Sequence, residues 1–230
     1  MTHIKVIIPA YNEADSIVHV IQDIPDSVNE VIVVNNNSTD DTHINAERAG
    51  ATVLSEDNRG YGFACLKGLE YISNQSILPD IVVFLDGDYS DYPEELTQIV
   101  SPIINDDVDF VIGARVRQNR ESGSMTSPQI FGNWLATSLM RLFFQSEFTD
   151  LGPFRAIKYN KLLALHMEDT TYGWTVEMQL KALKKKYSYI EVPVNYRNRI
   201  GVSKVSGTLK GAIFAGIKIL TWIFKYSFKK

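Results

Sequence analysis

Two aspartates separated by one glycine are the residues of this chain best suited to chemistry. Asp86 and Asp88 follow the run Ile81-Val82-Val83-Phe84-Leu85, which predicts a strand buried on both faces of a parallel sheet. A bend at Gly87 would turn both carboxylates into the space beyond the strand, where open α/β sheets bind ligands. Two hard oxygen ligands suit Mg²⁺ or Mn²⁺, with a diphosphate and water completing the coordination. The alternative is an Asp-Gly turn with solvated acids.

Polar residues follow three other predicted strands in the same way. They are Tyr11-Asn12-Glu13 after the first strand, Asn35 to Asp40 after the second, and Arg115 and Arg117 after the fifth. Because the carboxyl ends of parallel strands meet at one edge of a sheet, these clusters and the two aspartates are expected to form one site. Ordinary loop polarity explains any single cluster, but their shared position favours a functional explanation.

The elements that must position these residues alternate between strand and helix. At spacings of roughly 25 to 30 residues, this alternation predicts a right-handed, mostly parallel α/β sheet. The predicted strands are 4–8, 30–34, 51–55, 80–85 and 109–114, and the predicted helices are 12–22, a stretch ending at 49, 61–73 and 93–104.

Beyond Arg120 the pattern is less regular. Residues 121–127 are polar and contain Gly and Ser, which predicts a mobile loop. A strand at 187–195 contains Pro193, which predicts a sheet edge. Between them the sequence predicts a packed helix at 131–144, a loop leading to a short strand at 150–157, and a helix at 175–185.

Composition and charge narrow the class of protein. The chain has 230 residues, 45% of them hydrophobic, and can bury a sizeable core. Its single cysteine, Cys65, excludes an internal disulfide framework, and Met1 to Glu13 lack signal-peptide features, so we expect a cytoplasmic protein. Residues 1–195 carry a net charge of −12 and residues 196–230 carry +8. This asymmetry favours a membrane surface or a phosphorylated substrate over nucleic acid.

The basic tail, residues 207–230, predicts an amphipathic helix. Its apolar run is interrupted by lysines and is shorter than the ~20 apolar residues of a spanning helix. We expect it to lie at a membrane interface, with its lysines toward lipid headgroups and Trp222, Phe224 and Phe228 toward the acyl chains. The alternative is a helix packed on the domain or in a dimer. At 100° per residue the lysines fall on one arc, at about 0° for Lys210, 80° for Lys218, 60° for Lys225 and 100° for Lys229.

Several further segments occur in a characteristic order along nearly the whole chain. In this order they resemble the family 2 glycosyltransferases of the GT-A fold, especially the branch of dolichyl- or polyprenyl-phosphate sugar synthases. The segments are Pro9-Ala10-Tyr11-Asn12-Glu13, Val33 to Asp40, the glycine-rich Asn58 to Ala64, Asp86-Gly87-Asp88, Gly113-Ala114-Arg115, Asp150 with Phe154-Arg155, and Arg199 to Lys204.

The resemblance implies a fold and roles for individual residues. It implies a Rossmann-like GT-A domain at 1–206, with the amphipathic helix at 207–230 appended. Asp86 and Asp88 would hold the metal, and Arg115 would supply positive charge to the reaction. The other implied donor-binding residues are Pro9, Ala10, Tyr11, Glu13, Asn35, Gly62, Gly87, Arg199 and Lys204, although for the last two solvated surface charge is an alternative.

Glu177 lies near the position where this resemblance implies a catalytic base. A hydroxyl acceptor needs such a base, whereas a phosphate acceptor is already anionic and does not. The alternative is an exposed helical acid. The chain also departs from the family pattern at Asn35-Asn36, Tyr61 and Ser90, where aspartates, a lysine and a glutamine are common, so the resemblance does not identify the donor.

Together these features predict an inverting, metal-dependent glycosyltransferase. We expect it to move a sugar from a UDP- or GDP-sugar to a polyprenyl or dolichyl phosphate at the cytoplasmic face of a membrane, with a homodimer as one arrangement. Two alternatives stay open. One is transfer to a saccharide hydroxyl, and the other is a non-catalytic subunit that binds nucleotide-sugars.

Overall fold

A seven-stranded sheet with the strand order β3-β2-β1-β4-β6-β5-β7 forms the centre of the protein. The computed structural model describes residues 2–201 and 209–228. All neighbouring strands are parallel except β6, which is antiparallel to both β4 and β5. The strands are β1 (Ile4–Ala10), β2 (Glu30–Asn35), β3 (Thr52–Ser55), β4 (Ile81–Phe84), β5 (Phe110–Ala114), β6 (Arg155–Lys158) and β7 (Tyr189–Pro193).

Helices cover both faces of the sheet. One face packs against α1 (Ile17–Gln22), α2 (Thr42–Arg48) and α4 (Leu96–Asn105). The other packs against α3 (Tyr61–Ser73), α5 (Ser127–Phe144), α6 (Tyr159–Leu165), α7 (Trp174–Lys184) and α8 (Leu209–Phe228).

Strand β4 shows how the sequence builds the two cores. Val82 and Phe84 belong to the core on one face, whereas Ile81 and Val83 belong to the core on the other. All four side chains are buried, because alternate residues of a strand point to opposite faces and both faces are covered. The predicted doubly buried strand is confirmed.

Several boundaries differ from the sequence predictions for local reasons. Helix α1 begins at Ile17, not at Asn12, because the backbone N–H groups of Asn12 and Glu13 donate to hydroxyls of the β2–α2 region. Helix α5 begins at Ser127 because Thr126 and Gln129 form a capping box. Helix α6 was not predicted. Pro193 ends β7 at the sheet edge, as predicted.

The C-terminal helix α8 packs on the domain, which corrects the predicted orientation of two of its residues. Trp222 is only 6% exposed, and its indole N–H donates to Asp169 at 2.6 Å. Lys218 pairs with the same carboxylate at 3.1 Å. Trp222 therefore does not face acyl chains, and Lys218 is engaged by protein. The structure does not describe the side chains of Lys210 and Phe228. Lys229 and the predicted domain boundary at 206 also lie outside the described residues.

Phe224 is 41% exposed, and its contact with the acyl chains of a membrane stays a prediction. Within residues 2–201 and 209–228, no helix combines the length and the apolar character needed to cross a membrane.

Candidate active site

The turn after β4 carries the two predicted metal ligands. The Oδ1 atom of Asp86 is buried and has no hydrogen-bond partner within the described part of the chain. Burial raises the pKa of Asp86, and the charge of Arg199, the nearby hydroxyl of Tyr61 and the charge of Arg115 act in the opposite direction. Asp88 accepts hydrogen bonds at Oδ1 from the backbone N–H of Ser90 at 2.9 Å and from its hydroxyl at 2.6 Å.

Residues 196–200 hold this turn in place. The N–H of Ile200 donates to the carbonyl of Asp88 at 3.0 Å, and the N–H of Arg197 donates to the carbonyl of Ser90 at 2.9 Å. The guanidinium of Arg197 lies 3.6 Å from the ring centre of Tyr89, a cation–π contact. This segment brings Arg199 into an ion pair with Oδ2 of Asp88. Lys204 lies outside the described residues.

The loops after β1 and β2 form the other wall of the site. Pro9 and Ala10 end β1, Asn35 ends β2, and the Tyr11 ring lies 4.9 Å below the guanidinium of Arg59. The loop after β1 is joined to the aspartate turn, since the Ser16 hydroxyl donates to the carbonyl of Gly87 at 2.7 Å. The predicted convergence of strand ends is therefore present.

The glycine-rich segment has a structural reason for its glycines. A side chain on Gly62 would collide with the backbone of Asp169 and Thr170. The amide of Asn36 fixes the preceding loop, because it donates to the carbonyls of Glu56 and Asn58 and accepts from the N–H of Gly60. Of the predicted asparagine pair, Asn36 therefore serves the loop, while Asn35 lies at the strand end.

Arg115 is held by the carboxylate of Asp150, a residue of the predicted family segments for which no role was predicted. Its Nε and Nη2 atoms donate to Asp150 at 2.8 and 2.7 Å, and its backbone N–H donates at 2.8 Å. Burial alone would raise the pKa of Asp150, but Arg115 holds it below its usual value. This bidentate geometry fixes the arginine, whose guanidinium also lies 5.1 Å from the ring of Tyr196.

A cavity of about 290 Å³ opens beside Arg115. Its wall combines the side chains of Arg120 and Arg141 with those of Ile130 and Trp134. Arg117 does not line it. The cavity therefore presents positive charge and apolar surface together, and the charge of Arg115 also acts on Asp86 of the aspartate turn.

Glu177 occupies a different environment from the other predicted catalytic residues. Its side chain is 0% exposed, and its carboxylate accepts from the backbone N–H groups of Glu168 at 2.9 Å and Asp169 at 2.8 Å. Lys181 pairs with it at 2.7 Å. These contacts hold the loop that packs on Gly62. A role for Glu177 as a base stays a prediction from the sequence.

The donor set fits a divalent metal held jointly with a ligand. In residues 2–201 and 209–228 no three His, Cys, Asp or Glu side chains converge as a metal cage. Asp86 and Asp88 supply two hard oxygens, and the unpartnered Oδ1 of Asp86 is available for a cation. Mg²⁺ typically takes one or two carboxylates together with substrate phosphates, so these residues fit such an ion.

Comparisons with known proteins identify the family of this chain. Residues 5–164 match the profile of glycosyl transferase family 2. An uncharacterized glycosyltransferase of Mycobacterium tuberculosis is 31% identical over 215 residues, covering 92% of this chain and 94% of the relative. An undecaprenyl-phosphate mannosyltransferase of Micrococcus luteus is 27% identical over 229 residues, covering 94% and 92%.

Two further matches concern another relative and the fold. A dolichyl-phosphate hexose transferase of Haloferax volcanii is 30% identical over 219 residues, covering 91% of this chain and 89% of the relative. Glucosyl-3-phosphoglycerate synthase of M. tuberculosis, crystallised with Mn²⁺, UDP and phosphoglyceric acid, superposes with a TM-score of 0.79 at 22% identity. That match covers 100% of this chain and 80% of the synthase, and it confirms the GT-A fold. The chain belongs to glycosyl transferase family 2.

Proposed function

We propose that this protein transfers a sugar from a nucleotide diphosphate-sugar to a polyprenyl phosphate at a membrane surface. The observation that carries the proposal is the cavity beside Arg115, because its wall joins arginines to apolar side chains and the charge of Arg115 also acts on Asp86. A lipid phosphate has both properties, an anionic head and an apolar chain. The relatives named for undecaprenyl and dolichyl phosphates support the same acceptor class.

The donor would bind at the aspartate turn. Asp86 and Asp88 would hold Mg²⁺ or Mn²⁺ on the diphosphate, where the metal stabilises the negative charge of the leaving group. Arg199 already lies against Asp88 and would lie near the same phosphates. The loops after β1 and β2 would enclose the nucleoside, as in the family resemblance.

The acceptor phosphate would bind at Arg115, which Asp150 orients. A phosphate oxygen would attack the anomeric carbon as the bond from that carbon to the diphosphate breaks, so the bonding electrons leave with the diphosphate. Attack on the face opposite the leaving group inverts the anomeric configuration. A phosphate acceptor needs no general base, and the engagement of Glu177 by two backbone N–H groups and Lys181 supports such an acceptor.

An exposed apolar surface adjoins the cavity. Phe131, Trp134 and Leu142 lie within about 80° of one another on α5 at 100° per residue. Phe143 of α5 contacts Phe224 of α8, with 5.8 Å between ring centres. We define the α5–α8 surface by its exposed residues, which are Phe131, Trp134, Leu142, Phe143, Phe214, Ile217 and Phe224. A polyprenyl chain leaving the cavity would enter lipid beside this surface, which supports peripheral binding.

A ligand panel tests the donor half of the proposal. We expect UDP or GDP to raise the melting temperature in the presence of Mn²⁺ but not in EDTA, because a ligand that binds only the folded state stabilises it. Differential scanning fluorimetry provides the measurement, with ATP as the control. No shift with any nucleoside diphosphate would contradict donor binding and favour a protein with another role.

Transfer itself tests the acceptor half. The thermal-shift panel selects the base, and a radiolabelled nucleotide-sugar with that base is then used as the donor. We expect the labelled sugar to enter the organic phase only when undecaprenyl phosphate is present. Label that appears instead on added saccharides would favour a hydroxyl acceptor. Binding of the donor without any transfer would favour the non-catalytic alternative.

A flotation experiment tests the membrane surface. We expect the double variant Leu142→Asp with Phe224→Asp to reduce the vesicle-bound fraction by about fivefold or more, because both charges would have to enter the lipid interface. Vesicles of phosphatidylglycerol and phosphatidylcholine are suitable. Point substitutions are preferable to deletion of 207–230, since deletion would remove the buried Trp222 and Ile223 from the core.

The matched control for flotation is Ile77→Asp, an exposed apolar residue between α3 and β4 that lies outside the α5–α8 surface. It should float like the wild type. Equal flotation of the double variant and the wild type would contradict the proposed membrane surface.

A further inference from the structure

Asp91 is a buried acid outside the proposed metal and phosphate sites. It is 2% exposed, and neither carboxylate oxygen has a hydrogen-bond partner in residues 2–201 and 209–228. A buried carboxylate without a partner destabilises a folded protein. Its presence three residues after Asp88 therefore needs an explanation other than stability.

Asp91 lies beside residues of the proposed site, since its backbone pairs with Tyr196, whose ring lies 5.1 Å from the guanidinium of Arg115. After burial itself, the charges that act most on its carboxyl group are those of Asp86 and Arg115, and together these surroundings raise its pKa to about 8. Asp86 belongs to the proposed diphosphate site and Arg115 to the proposed acceptor site. Asp91 thus lies among the groups that would flank the transferred sugar.

The backbone at Asp91 is held firmly. It forms a β-bridge with Tyr196, and its carbonyl accepts a hydrogen bond from Arg197 at 3.2 Å. The carboxyl group is therefore presented by an ordered segment, although the carboxyl group itself has no described partner. Such an arrangement is preorganised for a ligand.

The chemistry of the substrates decides which ligand part suits Asp91. The phosphates of the donor and the acceptor offer only hydrogen-bond acceptors, so they would leave at least one oxygen of Asp91 without a donor in either protonation state. Asp86 and Asp88 already supply the two carboxylates that a diphosphate-bound Mg²⁺ typically takes. The hydroxyl groups of the sugar both donate and accept hydrogen bonds, so they suit a carboxyl group in either protonation state.

We propose that Asp91 binds hydroxyl groups of the transferred sugar and thereby determines which sugar the protein accepts. This inference rests on the proposed function and extends it to a residue that reads the sugar. Hydrogen bonds to a buried acid discriminate strongly between substrates, because a sugar that lacks the hydroxyl leaves the acid without a partner.

The test compares each nucleoside diphosphate with a nucleotide-sugar of the same base, so that each pair differs only in the sugar. Binding of UDP, UDP-glucose, GDP and GDP-mannose is measured by calorimetry with Mn²⁺ for the wild type, Asp91→Asn and Asp91→Ala. We expect both variants to bind the nucleoside diphosphate within about twofold of the wild type, and the matching nucleotide-sugar about 10- to 100-fold more weakly. The melting temperature of Asp91→Asn should equal or exceed that of the wild type, because the substitution removes an unpaired buried acid.

Glu95→Gln provides the matched control. Glu95 is also a buried acid of this segment, but its carboxylate accepts hydrogen bonds from the backbone and side-chain nitrogens of Asn195. Its substitution should lower the melting temperature without changing the ratio of nucleotide-sugar to nucleotide affinity. A purely structural role for Asp91 would make Asp91→Asn behave in the same way.

The outcomes separate this inference from the proposed function. Unchanged sugar affinity in the Asp91 variants, with or without loss of turnover, would overturn the inference while donor binding stood. Equal weakening of nucleotide and nucleotide-sugar would also overturn it, since Asp91 would then serve the diphosphate or its metal. If the wild type bound neither class of ligand, the proposed function and the inference would both fail.

Discussion

Exchange of Asp88 for asparagine is expected to lower kcat/KM for sugar transfer by about a thousandfold, or about 4 kcal/mol of transition-state stabilisation. Asp88 is buried and oriented by Ser90, so its carboxylate can hold a divalent cation on the departing diphosphate. Asparagine keeps the size of the side chain but not its charge. The Mn²⁺-dependent thermal shift with nucleotide should disappear together with the activity.

The control for this experiment is Asp26→Asn. Asp26 is an exposed acid before β2, at the opposite end of that strand from the site. Its activity and its nucleotide-dependent shift should match those of the wild type. Full activity in Asp88→Asn, with unchanged Mn²⁺ dependence, would rule out the metal assignment at the aspartate turn.

Exchange of Glu177 for glutamine is expected to lower the free energy of unfolding by about 3 kcal/mol. The substitution removes the 2.7 Å partner of the buried Lys181 and leaves it a 3.8 Å pair with the exposed Glu168. It also places an amide NH₂ against the backbone N–H of either Glu168 or Asp169, which now donate to the two different carboxylate oxygens. Urea denaturation followed by circular dichroism measures the loss.

Two further variants serve as controls for the loss of stability expected in Glu177→Gln. Glu70→Gln breaks an exposed ion pair with Lys67 and should change stability by less than about 0.5 kcal/mol. The double variant Glu177→Gln with Lys181→Met should recover part of the loss, because no unpaired charge then remains buried. Unchanged stability of Glu177→Gln with loss of transfer would instead support the predicted base.

Local sequence was sufficient to locate the edge of the sheet that carries the site. The β-branched run of β4 and the polar residues after β1, β2, β4 and β5 fall where parallel strands end, and the structure brings those ends together. This works because strand direction alone determines which edge receives the loop. The position of Asp86 and Asp88 after β4 followed from that rule.

The partners of the site residues could not be predicted in the same way. Arg115 and Asp150 are 35 residues apart, and nothing in the local pattern of either indicates their bidentate pair. The docking of Trp222 on Asp169 likewise depends on contacts between distant segments, so the periodicity of α8 could show an apolar face but not what covers it. A role for Asp91 could not be predicted from the sequence, because its lack of hydrogen-bond partners is visible only in three dimensions.

The place of β6 in the sheet has a consequence for synthesis of the chain on the ribosome. Strand β6 pairs with β4 and β5, yet it follows both in sequence. Until residues 155–158 have been made, β4 therefore keeps one unpaired edge and β5 keeps two, because its other neighbour β7 also follows it in sequence. The delay is on the order of seconds at usual translation rates. Unpaired apolar edges are templates for aggregation, so the nascent chain is most vulnerable in this interval. Any fragment that ends before Arg155 keeps that vulnerability permanently.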